Sequence, residues 1–212
     1  MALKALFYPD VPFDSLYIPF IYKEIYLDGI YVDICNQKRD MTILDVGANI
    51  GVVTQHLREY AKKLYALEPS AEHFEALKKN KEFNHWDNVE IFNVAVSDGD
   101  GKAALNRNND NRTCHSLTLK FNQGDELVKT TRLDTFFKEN EIEKIDFMKF
   151  DVEGAEDMIF RSEGFKNVAD KITAMLVEFH LADWQETSKY LMELGFDARK
   201  YDCGGVIILF TH

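Results

Sequence analysis

Met41-Thr42-Ile43-Leu44-Asp45-Val46-Gly47-Ala48-Asn49-Ile50-Gly51 is the stretch on which the fold turns. An apolar run that reads as a strand ends in a carboxylate, and two glycines four apart follow at once. Strand, glycine turn, then helix is how an α/β sheet makes room for a nucleotide-like ligand beyond the carboxyl end of a strand. Glycine reaches positive φ without strain and lets a ligand lie against bare backbone, while the next helix offers unpaired N–H groups. The spacing is G-x-x-x-G, not the G-x-G-x-x-G that cradles a pyrophosphate, which turns the reading away from a nicotinamide dinucleotide.

Working outward from residue 41, strands and helices alternate. A strand over 42–46 leads to a helix over about 50–60, and a strand over 64–67 ends at Glu68-Pro69. Ser70 then caps a helix that carries Glu72 in its first turn and runs to about Phe83. A strand over 89–92 follows. Residues 97–125 are rich in Gly, Asn and Asp and read as loops or hairpins, with short strands near 102–105 and 116–119. Strand 128–131 and a short helix over 133–139 come next. Alternation resumes with a strand at 145–150, a helix at 155–162, a very apolar strand at 172–179 and a helix at 184–194 ended by Gly195. Two last strands, 197–201 and 206–210, are joined at Gly204-Gly205 in the manner of a hairpin. The fold class expected is α/β: a mostly parallel sheet covered by helices on both faces, with an antiparallel terminal strand.

Residues 1–40 differ from the rest, with eight aromatic residues before the first sheet strand. Ile18, Ile21, Tyr22, Ile25 and Tyr26 keep helical spacing. We read them as a helical cap on the core, which could also serve as a lid over a substrate or as a contact between two copies. Residues 41–212 form the main domain.

Composition excludes several classes. The net charge of −11 repels a nucleic-acid backbone, and there is no run of Arg or Lys to make a local basic groove. Cys35, Cys114 and Cys203 are odd in number and far apart, so they read as reduced thiols of a cytoplasmic protein rather than a disulfide framework or zinc site. The N-terminal apolar stretch is too short for a signal sequence, and no run reaches the ~18 apolar residues of a membrane span.

The polar residues at strand ends are the candidates for chemistry: Asp45, Glu68, Asn93, Asp151 and the trio Glu178, Phe179, His180. Glu68 follows Gly51 by 17 residues, where a carboxylate can accept both hydroxyls of a ribose. Read with the glycine spacing, this favours S-adenosylmethionine as the cofactor. The sulfonium and the ammonium of that molecule are both cations, and Asp45 and Asp151 at strand ends lower the cost of holding them.

Asp45 through Gly51, the Glu68-Pro69 step, Asn93-Val94-Ala95-Val96-Ser97-Asp98 and Asp151-Val152-Glu153-Gly154-Ala155-Glu156 together resemble the successive motifs of FkbM-type methyltransferases over roughly residues 41–180. The resemblance implies a class I, Rossmann-like fold with a seven-stranded sheet, dependence on S-adenosylmethionine, and O-methylation of a sugar or small natural-product-like acceptor. It places Asp45, Gly47, Ala48, Asn49 and Gly51 around the amino-acid part of the cofactor. Glu68 with Pro69 falls at the ribose, Asn93 and Val94 flank the adenine, and Asp151 stands near the reactive methyl.

Transfer to an oxygen needs an aligned hydroxyl and a base for its proton. Asp151, Glu178 and His180 are the candidates, His180 for its ordinary pKa near neutrality. Asp151, Glu153, Glu178 and His180 could also converge on a divalent ion, but the spacing does not require it and the sequence assigns no metal. Alternatives are a methyltransferase acting on protein or nucleic acid, and a binding module without turnover. His115, in the loop-rich region, reads either as a solvated residue or as one reaching the site opening.

Overall fold

The computed structural model describes residue 31 and residues 38–107, 115–120, 124–180, 183–202 and 205–212. The expected cap over 1–40 lies outside these residues apart from Tyr31 and residues 38–40, as do all three cysteines. Tyr31 is buried beside the ring of His56.

Ten strands and six α-helices are named in chain order. Strand β1 (Met41–Val46) leads through the glycine turn to α1 (Val52–Leu57), and β2 (Ala61–Leu67) to α2 (Ala71–Phe83). Next come β3 (Val89–Phe92), β4 (Ala95–Val96), β5 (Gly101–Asn106) and β6 (Asp125–Thr131). Helix α3 (Leu133–Glu139), β7 (Phe147–Phe150), α4 (Glu156–Phe160) and α5 (Glu163–Lys166) follow. The chain closes with β8 (Ala174–Phe179), α6 (Trp184–Glu193), β9 (Asp197–Asp202) and β10 (Val206–Thr211). The main sheet has seven strands in the order β3-β2-β1-β7-β8-β10-β9. All neighbours are parallel except β10, which runs antiparallel to β8 and to β9.

Burial follows from the two-residue period of strands. Leu44, Val46, Met148, Phe150, Met175 and Val177 point to one face and pack with Phe136, Phe137, Phe160, Phe165 and Leu191 from α3 to α6. Ile43, Leu64, Ala66, Phe147, Leu176 and Ile207 point to the other, against Leu57, Leu77 and Trp86. Asp45 and Lys149 share the second parity at the carboxyl ends of β1 and β7, where they are register partners. Glu178 falls on the same face of β8, two residues past Leu176.

Three expectations change. The strands expected near 102–105 and 128–131 form as β5 and β6, but with β4 they make a separate three-stranded sheet, β4-β6-β5. No strand forms at 116–119; Ser116 makes one bridge to Asn106 and then turns, because its Oγ accepts from the backbone N–H of Thr118 and of Leu119. The helix expected over 155–162 forms as α4 and stops at Phe160, and a further helix, α5, follows, with Ser162 capping it by accepting from Phe165 N–H.

Strand order reverses between β1 and β7, so the crevice of this sheet opens above their carboxyl ends. Gly47 has φ of 80°, and a Cβ on it would lie 1.9 Å from the Asp151 carbonyl oxygen. The turn therefore closes only with glycine. Gly47→Ala should lower unfolding free energy by about 3 kcal/mol, read by urea denaturation, from strain and overlap together. Gly99→Ala, where a Cβ meets nothing, should change it by less than about 0.5 kcal/mol; equal effects would refute this account of the turn.

Candidate functional site

Two clusters sit above the crevice. The first gathers around Glu68, which is 5% exposed at the end of β2. Its Oε2 accepts from Asn49 N–H at 2.8 Å and its Oε1 from Ser70 N–H at 2.9 Å. Asn49, with φ of 52°, and Gly51, with φ of 92°, carry the loop around that carboxylate. Asn93 donates through Nδ2 to the carbonyls of Glu68 and Pro69, both at 2.9 Å. The loops after β1, β2 and β3 are thereby tied to one residue. Each Glu68 oxygen keeps a lone pair for a further donor, which is the chemistry a pair of ribose hydroxyls needs. Asn93 and Val94 also border a cavity of about 290 Å³, lined further by Phe92, Thr131 and Phe136.

The second cluster begins with a residue that sequence reading missed. Lys149 is 6% exposed in β7, and its ammonium donates to the Gly47 carbonyl at 2.6 Å. It stands 3.1 Å from Asp151 Oδ2 and 3.8 Å from Asp45 Oδ1. Burial alone would drive its proton off; Asp151 and Asp45 reverse that and hold it well above the usual lysine range. Asp45 is fully buried, and burial pushes its carboxyl up despite Lys149 and the Thr54 hydroxyl, which donates to Oδ2 at 2.6 Å.

Beyond Lys149, four carboxylates surround His180 at the end of β8. Nδ1 lies 3.3 Å from Glu156 Oε1 and 3.9 Å from Asp151 Oδ1. Nε2 lies 3.4 Å from Glu153 Oε2 and 3.5 Å from Glu178 Oε1. Burial works to lower the imidazole pKa, but hydrogen bonds from its N–H groups to Glu156 and Glu178, with Asp151 and Glu153 nearby, push it up to about 12. The acids around it thus favour the charged imidazole, in place of the ordinary pKa on which His180 was expected to serve as a base.

The expected residues lie at the carboxyl ends of five strands, with Asp45 and Asp151 both beside Lys149. Asp45, Gly47, Ala48, Asn49, Gly51, Glu68, Pro69, Asn93 and Val94 line the ends of β1 to β3, and Asp151, Glu178 and His180 meet across β7 and β8. Glu153 and Glu156 join the second group because Gly154, with φ of 99°, folds their loop back, and Glu156 Oε1 accepts from Gly154 N–H. Residues 115–120 bridge the groups. Ser116 Oγ donates to the Glu153 carbonyl and Thr118 Oγ1 to that of Gly154, while the His115 ring stacks 4.8 Å from His73. His73 Nδ1 is 3.7 Å from Glu68 Oε1, so His115 stands one ring away from that carboxylate. Trp184 instead packs on the core under Lys200.

Known proteins share the sequence pattern and the fold of this chain. The family model described as "Methyltransferase FkbM domain" matches residues 45–202. The hexuronic acid methyltransferase AglP of Haloferax volcanii is 28% identical over 163 residues, covering 74% of the chain but only 63% of that relative. Among solved structures, an rRNA methylase from Streptococcus thermophilus superposes with a TM-score of 0.56 at 10% identity, over 87% of this chain and 92% of the other. A precorrin-8w decarboxylase of Methanobacterium thermoautotrophicum gives 0.54 at 17% identity, covering 98% and 97%. At such identities the structures establish a shared fold.

Lys149→Met should cost about 3–5 kcal/mol of unfolding free energy, because it leaves buried carboxylates uncompensated. Adding Asp45→Asn should return part of that loss. A double-mutant cycle by urea unfolding should show coupling of about 1 kcal/mol or more; coupling near zero would separate the two residues.

Proposed function

The chain belongs to the FkbM methyltransferase domain family, S-adenosylmethionine-dependent enzymes of the class I fold, and from that premise we propose that it methylates a hydroxyl of a sugar or similar small acceptor. The observation that carries the proposal is the division of the crevice into a carboxylate held ready for a ribose and an anionic pocket beside the β1–β7 switch point. S-adenosylmethionine, when bound, supplies a methyl group on a positively charged sulfur. Glu68, Asn49, Gly51 and Asn93 are the residues we assign to its nucleoside and amino-acid parts.

Asp151 stands between the two regions. One of its oxygens is fixed by Lys149, and the other, Oδ1, faces the His180 side. We assign Asp151, with Glu178, to orienting the acceptor and receiving the hydroxyl proton. Residues 115–120 close the side of the pocket and shape what enters it. Positioning of this kind supplies most of the rate, with proton removal adding a further factor of about 10² to 10⁴. No helix among the described residues is long and apolar enough to cross a membrane.

The name of the Haloferax relative supports a uronic-acid sugar as the first acceptor to try. The acidic surface supports a small molecule over nucleic acid. A panel of sugars, uronic acids included, with labelled cofactor should yield a methyl ether, and methylation of RNA or protein alone would overturn the acceptor class. Calorimetry should show S-adenosylhomocysteine bound by the intact protein and weakened about 10-fold or more in Glu68→Ala, the loss of a charged hydrogen-bond acceptor. No binding to the intact protein would sink the reading. Asp151→Asn should keep most of that affinity and lose about 10² in turnover.

A further inference from the structure

Asp151, Glu178 and His180 each present one ligand atom within 4.8 Å of the others, a spacing that one small cation can bridge. We propose that these three side chains form a binding site for a hard divalent cation, Mg²⁺ or Mn²⁺. Two carboxylate oxygens and one imidazole nitrogen suit such ions, and the three residues lie on the ends of adjacent parallel strands whose backbone is already fixed.

A second observation points to the same ligand. Glu156 is 1% exposed, with Oε1 set against His180 Nδ1 at 3.3 Å. Its Oε2, like Asp151 Oδ1, is buried without a hydrogen-bond partner among the described residues. A carboxylate sealed behind a histidine is the usual outer partner of a metal-bound imidazole: it accepts from one ring nitrogen and turns the other toward the ion. With Nε2 on the ion, Nδ1–H would remain with Glu156, whose Oε1 is already held by Gly154 N–H.

Charge leads to the same place. Asp151, Glu153, Glu156 and Glu178 surround His180, and of these Lys149 makes a close pair with Asp151 alone. Four carboxylates are balanced when a divalent ion takes the place of the imidazole proton, Lys149 remains, and a sulfonium enters alongside. The site itself stands on side-chain geometry. Its role rests on the methyltransferase reading: the ion would gather two acceptor oxygens, such as a hydroxyl and a neighbouring carboxylate, and lower the hydroxyl pKa so that a weak base suffices. It would also admit an anionic sugar to a pocket that otherwise repels one.

The test is Mn²⁺ titration of metal-free protein followed by electron paramagnetic resonance, with S-adenosylhomocysteine calorimetry on the same samples. One saturable Mn²⁺ site per chain is expected, weakened about 10-fold or more in Glu178→Gln and likewise in Glu156→Gln. The neutral thioether should bind Glu178→Gln as it binds the parent, which shows that the variant is folded. Absence of saturable Mn²⁺ binding below millimolar, or binding undiminished in Glu178→Gln, would overturn the proposal. If that variant fails to fold, substoichiometric Mn²⁺ added to intact protein with labelled histidines decides: broadening centred on the His180 ring supports the site, and broadening centred on another histidine refutes it. Mn²⁺ binding without S-adenosylhomocysteine binding would leave the metal site standing and defeat the enzymatic reading; the reverse would do the opposite.

Discussion

A buried ammonium holds the centre of this molecule together. Lys149 sits inside the sheet between β1 and β7, where an unpaired charge would be prohibitive, so everything around it is arranged for its sake. The Gly47 carbonyl turns toward it, Asp151 pairs with it directly, and Asp45 stands across the strand gap with a hydroxyl from α1 on its far oxygen. The two loops at the switch point meet at that ammonium. Gly47 must then lie flat against the Asp151 backbone, which is why the turn admits no side chain. The nucleotide-side loop and the acceptor-side loop become a single rigid edge. Rigidity there is useful, since a misplacement of about 1 Å in a reacting geometry costs orders of magnitude in rate.

Glu68 plays the corresponding part on the other side. Its two oxygens accept from backbone N–H groups of two different loops, and Asn93 pins its own carbonyl from a third. A carboxylate fixed by such bonds loses little freedom when a ligand arrives, so its hydrogen bonds to hydroxyls come at small entropic cost. The stacked pair His73 and His115 carries this order across to residues 115–120, which are bonded in turn to the Glu153–Gly154 backbone. Cofactor loop, covering segment and acid loop thus form a closed circuit around the crevice.

Much of this was legible from residues 41 to 51 and from alternation. Glycine spacing, the strand-end acids and the order of elements led to a mostly parallel sheet with an antiparallel end, because period and turn chemistry are local properties; the number of its strands, seven, was what the family resemblance implied. Lys149 was not legible. A lone lysine in Phe147-Met148-Lys149-Phe150 reads as a polar interruption until strand order puts Asp45 beside it, and strand order is a property of the whole chain. Around His180 the convergence of Asp151, Glu153 and Glu178 was open to the sequence, but the buried Glu156 was not. The four acids come from positions 151 to 178, and only the fold-back at Gly154 brings Glu153 and Glu156 onto the ring. Of the sheet of β4, β5 and β6 the sequence showed two strands, near 102–105 and 128–131; the two-residue β4 and the pairing of all three were missed because so short a strand leaves no period to read.

The uneven placement of charge has a consequence for turnover. Around Glu68 the anion is satisfied by backbone donors, whereas around His180 carboxylates outnumber cations. An anionic pocket discriminates by charge, because opposite charges within about 4–6 Å stabilise one another strongly where water is scarce. Methyl transfer removes the positive charge from sulfur and leaves a neutral thioether. On the roles proposed above, the acids near Asp151 would then lose one of the cations that balance the pocket, while the contacts assigned to Glu68 and the ribose would be unchanged. Affinity for the spent cofactor would fall at one end only, and the same arrangement that gathers cations would favour release of the product.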